Sequence, residues 1–174
     1  MSQSLLNWPL LYKMFVRPKL EYCSFLFSNA RKLDRFRIEN VQRKFTKRII
    51  GYNDKLSYSN RCDQLNLQPL WLRRLKMNLS CMYKIVHRAS SRTSFAPPSH
   101  YGLRNNRNLL ITMRSKSKLR SSFFLVKYRA VWNKLPEALR TCPSLPRFCK
   151  ELDCFLRDSI AVGTCLFQQN IDTF

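Results

Sequence analysis

The carboxylates are the residues in this sequence that could hold catalytic metal ions. Phosphoryl transfer on two divalent metals requires clustered carboxylates, whereas the 10 acidic residues here are spread along the chain and none is adjacent to another. The closest two are Glu151 and Asp153, and an offset of two residues points them to different faces of a helix. We therefore expect them to be solubilising residues, and we expect no catalytic centre in this sequence.

Cysteine and histidine provide no better candidate site. The 7 cysteines show no disulfide framework and no Cys-x2-Cys pair, which favours structural thiols in a reducing compartment. Cys142, Cys149 and Cys154 lie near one another, but no histidine follows His100 to complete a zinc knuckle. Neither His87 nor His100 has the partner that a catalytic triad needs, and the chain has no glycine-rich phosphate loop. We expect no metal ion and no cofactor.

The charge of the chain indicates its partner. Lys and Arg number 32 against 10 acidic residues, a net charge of +22, and no acidic residue occurs between Asp63 and Glu137. Such a domain repels itself unless it lies against a polyanion. Nucleic acid is the commonest such partner, an anionic membrane is the next, and a merely solvated basic surface is the alternative.

The apolar stretches of the sequence have neither the pattern of a secretory signal nor the length of a membrane span, which bears on where the protein is located. The start, Met1 to Val16, is apolar but has no basic segment before it, and Pro9 and Lys13 interrupt it. No stretch reaches the roughly 20 apolar residues that a membrane span needs. We therefore expect an intracellular protein, nuclear or cytoplasmic, that is not secreted and has no membrane partner.

Hydrophobic periodicity predicts helices along most of the chain. Leu5 to Phe27 is typical of two short, bent helices separated at prolines, and its dense apolar residues predict burial. Leu33 to Ile50 is the clearest amphipathic helix and ends at Gly51. Its predicted buried stripe is Ile38, Val41, Phe45 and Ile49, its opposite face holds Arg43, Lys44 and Lys47, and Arg48 lies at the edge.

Hydrophobic periodicity predicts four further helices after Gly51. They are Ser57 to Leu67, Pro69 to Arg88, Phe123 to Asn133, and a last helix capped by Ser144. The predicted apolar stripe of the second of these is Leu72, Leu75, Leu79, Met82 and Val86, and that of the last is Leu145, Phe148, Leu152 and Phe155 or Leu156. Arg73, Arg74 and Lys76 cluster at a helix start, where cations oppose the helix dipole. A bound phosphate or the carboxylates of the preceding helix would each account for that placement.

The middle of the chain predicts a linker. Residues 89–122 are rich in serine, proline and basic residues, and Arg114 to Arg120 alternates cations with small polar residues, as an extended arm or a solvated loop would. The expected fold is mainly α, an irregular helical bundle with a long basic loop and at most one short β-hairpin, and Leu109 to Met113 is a candidate short strand. The expected segments are 1–88, a linker at 89–122, a helical segment at 123–160 and a loose tail at 161–174.

Several strings, in a consistent order, carry a family resemblance. Leu11 to Ser24, Val41 to Ile49, Leu72 to Leu75, Tyr83 to Ile85 and Val131 to Pro136 together resemble the region after the palm in LINE-type reverse transcriptases, the non-LTR retrotransposon enzymes of the jockey kind. The resemblance covers roughly residues 8–156. It implies a thumb, a helical element that packs on the palm and holds template and primer by their backbones. It also implies that the endonuclease and the catalytic palm lie outside this sequence.

The resemblance and the charge together predict a function. We expect a fragment of a retrotransposon RNA-directed DNA polymerase that binds an RNA/DNA hybrid or duplex by its backbone, without catalysis, with a catalytic palm domain as a further partner. The alternative is a domesticated interaction module that docks a protein through its apolar N-terminal face. The expected backbone contacts are Arg43, Lys44, Lys47, Arg48, Arg73, Arg74, Arg114, Lys116, Lys118 and Arg120.

Overall fold

The computed structural model describes residues 3–26, 30–51, 55–88, 109–112 and 114–161. Over these residues the chain is mainly helical and contains no strand, which confirms the predicted fold class. A π-helical segment covers Tyr12–Val16. The α-helices are α1 (Gln3–Leu11), α2 (Arg17–Glu21), α3 (Lys32–Ile50), α4 (Tyr58–Gln64), α5 (Leu70–Arg88), α6 (Lys118–Ser122), α7 (Phe124–Asn133), α8 (Glu137–Arg140) and α9 (Leu145–Ala161). Most of the predicted linker, residues 89–108, and the predicted tail from residue 162 lie outside the described residues.

Two compact units divide the chain within α5, the first ending at Leu75 and the second beginning at Lys76. The first boundary predicted from the sequence falls at residue 88, at the end of the same helix. That prediction separates segments by composition and by resemblance, whereas the observed boundary separates them by contacts. The predicted segments and the observed units therefore describe different divisions of the chain, and the segments stay a prediction.

Proline widens the first helical segment instead of breaking it. In place of two bent helices, α1, the π-helical segment and α2 follow one another without interruption. Pro18 lacks an N–H and its ring crowds the carbonyl four residues earlier, so the turn before it opens, and the Arg17 N–H reaches back five residues to the Tyr12 carbonyl. The Arg17–Glu21 pair that their spacing suggests is not what forms, since the Glu21 carboxylate accepts two hydrogen bonds from Arg73.

Helix α3 buries a polar face, which corrects the predicted apolar stripe. Its buried side chains are Glu39, Gln42 and Thr46, whereas Val41 is exposed and the other three members of the stripe are only partly buried. Gln42 accepts a hydrogen bond from the Tyr12 hydroxyl at 3.0 Å and donates one to the Gln68 carbonyl at 3.0 Å. Buried polar groups are stable when they are hydrogen-bonded in this way. Distant polar partners therefore decide which face of α3 is inside.

The carboxylate of Glu39 connects α3 to the start of α5. Its Oε1 accepts hydrogen bonds from the Leu70 N–H at 3.1 Å and the Tyr58 hydroxyl at 2.7 Å, and its Oε2 accepts one from the Trp71 N–H at 3.0 Å. The first N–H groups of a helix have no partner within the helix and carry its positive dipole end. A carboxylate there satisfies both the hydrogen bonds and the charge. Burial, and then the charge of Glu39, raise the pKa of Tyr58 well above its usual range.

The second unit has an aromatic core that matches the prediction for the last helix. Phe148 and Leu152 of α9 are buried as predicted, and Trp132 of α7 is fully buried, with its ring centroid 5.8 Å from that of Phe148. Tyr83 of α5 stacks on Phe148 at 4.7 Å and donates a hydrogen bond to the Cys142 carbonyl at 2.7 Å. The backbone carbonyl of Ser144 accepts from the N–H of Phe148, which confirms that α9 begins where predicted.

The segment predicted as a strand pairs with a side chain instead of another strand. Residues 109–112 have no regular secondary structure, and Met113 lies outside the described residues. The Asn133 side chain accepts from the Leu110 N–H at 2.9 Å and donates to the Leu110 carbonyl at 2.8 Å. One amide side chain thus replaces the two backbone bonds that a β-partner would supply, and Leu110 is buried without a hairpin.

Candidate nucleic-acid interface

Three exposed cations of α3 lie close together in the first unit. Lys44, Lys47 and Arg48 are exposed and lie outside the buried polar face of the helix. Each side chain is placed by the anchoring of that buried face, which holds α3 in one rotational setting. Lys47 and Arg48 also lie in the last turn, where cations suit the negative end of the dipole. Three of the predicted contacts are therefore positioned together on a rigid element.

Arg43 is held by aromatic rings at the edge of that surface. Its guanidinium lies 4.7 Å from the ring centroid of Tyr58 and 5.7 Å from that of Phe36. The Arg43 side chain is half-buried, and its Nε has no hydrogen-bond partner among the described residues. Stacking on aromatic faces suits the planar, weakly hydrated guanidinium. Among the predicted contacts, Arg43 therefore has a side chain that aromatic stacking already orders before any ligand binds.

Arg73 and Arg74 are directed into the first unit. The Glu21 carboxylate binds Arg73 through two hydrogen bonds, and Arg74 is 7% exposed. Burial lowers the pKa of Arg74, although the nearby carboxylates of Glu39 and Glu21 oppose that change. Carboxylates therefore accompany both cations, but they belong to α2 and α3 and not, as the sequence suggested, to the preceding helix. A phosphate contact by Arg74 would require the unit to open.

Lys76, the third cation at the start of α5, belongs to the second unit and also has a carboxylate partner. Its Nζ lies 2.5 Å from the Oδ1 of Asp153 on α9. The Lys76 side chain is largely buried by this contact, whereas the aspartate is more open. Asp153, which was expected to be only a solubilising residue, therefore links α9 to α5 within the second unit.

The basic residues of the predicted arm are exposed, but half of them are helical. Arg114 and Lys116 lie in irregular backbone, whereas Lys118 and Arg120 belong to α6. The Ser117 side chain caps α6 by accepting the N–H of Arg120 at 3.2 Å. Helix formation here corrects the expectation of a fully extended arm, and its cause is this local serine cap.

Sequence reasoning missed Phe36 as a member of the α3 surface. Its side chain is 56% exposed and lies under the guanidinium of Arg43. The signal that could have revealed it is spacing, because residues seven apart lie two turns along one face of a helix.

The start of the chain presents an apolar surface, contrary to the prediction that it is buried. Trp8, Leu10, Leu11 and Phe15 are exposed, with Phe15 at 62%, while Trp71 is partly buried. Five more exposed side chains extend this N-terminal apolar face: Met14, Val16, Tyr22, Phe25 and Leu26. An apolar surface of this extent marks an interaction site or a liability to aggregate.

The thiol of Cys142 in the second unit is structural in character. Burial, followed by a hydrogen bond to Glu151 and the charge of that carboxylate, raises the pKa of Cys142 to about 11. The Cys142 Sγ donates to the Glu151 Oε2 at 3.1 Å. A thiol held protonated is a poor nucleophile and a poor metal ligand. In the described part of the chain, no group of three or more His, Cys, Asp or Glu residues could hold a metal ion.

Comparison with protein-family models, with curated proteins and with solved structures finds no match to this chain. Within the residues that the structure describes, no helix is both long enough and apolar enough to cross a membrane.

Proposed function

We propose that this chain binds the backbone of nucleic acid, RNA/DNA hybrid or duplex, without catalysis of its own, as a fragment of a retrotransposon RNA-directed DNA polymerase. The observation that carries the proposal is the exposed row of Lys44, Lys47 and Arg48 on a firmly anchored α3, in a chain of net charge +22. The ordered strings that resemble LINE-type reverse transcriptases support the same proposal, since a thumb holds its duplex by phosphate contacts.

The anchoring of α3 favours phosphate binding by the basic row, Lys44, Lys47 and Arg48, over a row that is merely solvated. Fixed cations contact phosphates with less ordering cost than cations on a mobile loop. The carboxylates of α3 itself do not cancel the row, because Glu39 is buried with its oxygens engaged by three donors. Asp34, at the far end of α3, pairs with Arg37 at 3.4 Å. The cations of the row therefore remain available to a polyanion.

The test is the salt dependence of binding to a labelled duplex and a labelled hybrid, followed by fluorescence anisotropy between about 50 and 200 mM salt. The triple variant K44Q/K47Q/R48Q is expected to reduce the slope of log affinity against log salt by about 2 to 3, since each lost phosphate contact removes about 0.9. The matched control is K134Q/K150Q/R157Q, which removes the same charge from exposed positions of the second unit. A flat slope for the wild type, or equal losses in both triples, would contradict the proposal.

The N-terminal apolar face favours a second candidate, an interaction module that docks a partner protein. The partner that the resemblance suggests is a reverse-transcriptase palm. Titration calorimetry with a separately expressed palm domain of a LINE-type enzyme tests it, and M14Q/F15Q is expected to weaken binding at least about tenfold, because central apolar anchors dominate interface energies. Both side chains are exposed, so the variant should keep the thermal midpoint of the wild type. Undiminished binding by M14Q/F15Q would exclude this face as the contact.

A further inference from the structure

One edge of α3 carries an aromatic ring and cations in register. Phe36, Arg43 and Lys47 are spaced by seven and four residues, so they lie along one line of the helix surface. The line is about 16 Å long at the rise of an α-helix. Lys44 lies beside it and is exposed. An aromatic side chain interleaved with cations is the arrangement by which proteins bind unpaired nucleic acid strands.

The geometry at Phe36 leaves its ring open while fixing its neighbour. The ring is 56% exposed, although exposed phenylalanine is unfavourable in water. The Arg43 guanidinium lies 5.7 Å from the centroid of the Phe36 ring and 4.7 Å from that of the Tyr58 ring. The contact with Tyr58 holds it in place. The ring therefore has a positive neighbour on its own helix and an accessible surface beside it.

We propose that Phe36 is a stacking platform for an unpaired nucleobase, with Arg43 and Lys47 contacting the adjoining phosphates, so that the chain binds single strands through α3. This inference rests on the proposed function and adds unpaired strands to the duplex or hybrid whose backbone α3 contacts. Bases within a duplex are already stacked on one another and cannot reach a ring on a helix surface, whereas the bases of a single strand can. Backbone contact by cations alone would not distinguish the two forms.

The charges around Phe36 favour nucleic acid over an apolar protein partner at this position. The exposed Leu33 lies one turn before Phe36, and Arg43 and Lys47 follow Phe36 along the line, so an apolar interface would have to desolvate both cations. A polynucleotide offers a flat aromatic base and a phosphate in each repeating unit, which match the ring and the cations respectively. The N-terminal apolar face, by contrast, is dominated by neighbouring apolar side chains.

The experiment compares F36L with the wild type by fluorescence anisotropy, using labelled oligothymidylate, oligouridylate and a DNA duplex at one salt concentration. Leucine keeps an apolar side chain and removes the aromatic face. F36L is expected to weaken binding to one or both single strands about tenfold and to change duplex affinity less than about twofold. F36W is expected to retain or increase single-strand affinity. The matched control is V41A, an exposed apolar residue of the same helix that lies about 140° around it from Phe36, and it should change neither. Circular dichroism checks that each variant keeps its helicity.

The outcomes separate this inference from the proposed function. Salt-steep binding that K44Q/K47Q/R48Q weakens, together with single-strand affinity unchanged in F36L, leaves the backbone-binding function standing and overturns the stacking role. Equal losses on single strands and duplex in F36L overturn it as well. Absence of salt-dependent binding to any of the oligonucleotides overturns both. Selective loss on oligothymidylate or on oligouridylate supports stacking and assigns DNA or RNA as the strand.

Discussion

Replacing Glu39 with alanine is expected to destabilise the first unit by about 3 to 5 kcal/mol, because three donors lose their acceptor and each buried donor without a partner costs about 1 to 3 kcal/mol. The loss has two parts. The N–H groups of Leu70 and Trp71 and the hydroxyl of Tyr58 lose their acceptor, and buried donors without partners are costly. Arg74, which is buried nearby, also loses one of its two compensating carboxylates.

Urea titration followed by circular dichroism measures this effect, and Asp34→Ala is its matched control. Asp34 is the other acidic residue of α3, and its pair with Arg37 is largely solvent-exposed, so its loss should cost at most about 1 kcal/mol. E39Q is expected to fall between the two, because the amide oxygen still accepts a hydrogen bond while the charge is lost. Equal stabilities for E39A and D34A would mean that Glu39 does not organise the start of α5. Since whole domains are stable by only about 5 to 15 kcal/mol, E39A should also reduce nucleic-acid binding through α3.

Replacing Phe148 with alanine is expected to destabilise the second unit by about 3 to 5 kcal/mol through the cavity it leaves. Phe148 is fully buried, stacks on Tyr83 at 4.7 Å and lies 5.8 Å from the ring of Trp132. Three helices supply these rings, so relaxation into the cavity would have to move more than one of them. The aromatic contacts add about 0.5 to 1.5 kcal/mol each beyond the buried area.

Thermal unfolding followed by calorimetry measures the change, with an expected fall in midpoint of at least about 12 °C for a unit of this size. F123A is the control, since Phe123 is 53% exposed in the same unit and its truncation should shift the midpoint by less than about 4 °C. A shift as small in F148A would show that these rings do not form the core. Because α3 lies in the first unit, its interface residues are not themselves altered by F148A, and nucleic-acid binding at low temperature is expected to persist.

Local signals in the sequence were sufficient to predict most of the helices. Helix α5 follows Pro69 and buries Leu72, Leu75, Leu79 and Met82 at helical spacing, as expected. Gly51, with a φ of 116°, ends α3 where a glycine was expected to end it. Caps and periodicity act within one or two turns, so they can be read without knowledge of the fold. The same reasoning missed α8, a single turn too short to show a period.

The sequence was misleading where a side chain depends on a distant partner. The Tyr12 hydroxyl that satisfies Gln42 lies 30 residues away along the chain, and the N–H that Glu39 accepts at Leu70 lies 31 residues away. A polar residue in a helix predicts a solvated position unless such partners are known, which is why the buried face of α3 was assigned wrongly. Pairing of Leu110 with Asn133 replaced a predicted strand for the same reason.

The candidate interface shows the same division between sequence and fold. Composition by itself determined that the chain carries a large excess of cations and no acidic residue between Asp63 and Glu137. Tertiary structure alone decided which cations face solvent: Lys44, Lys47 and Arg48 do, whereas Arg74 is buried beside carboxylates. The physical reason is that net charge is a sum over residues, while a cation's availability depends on the burial and counter-charges that only packing creates.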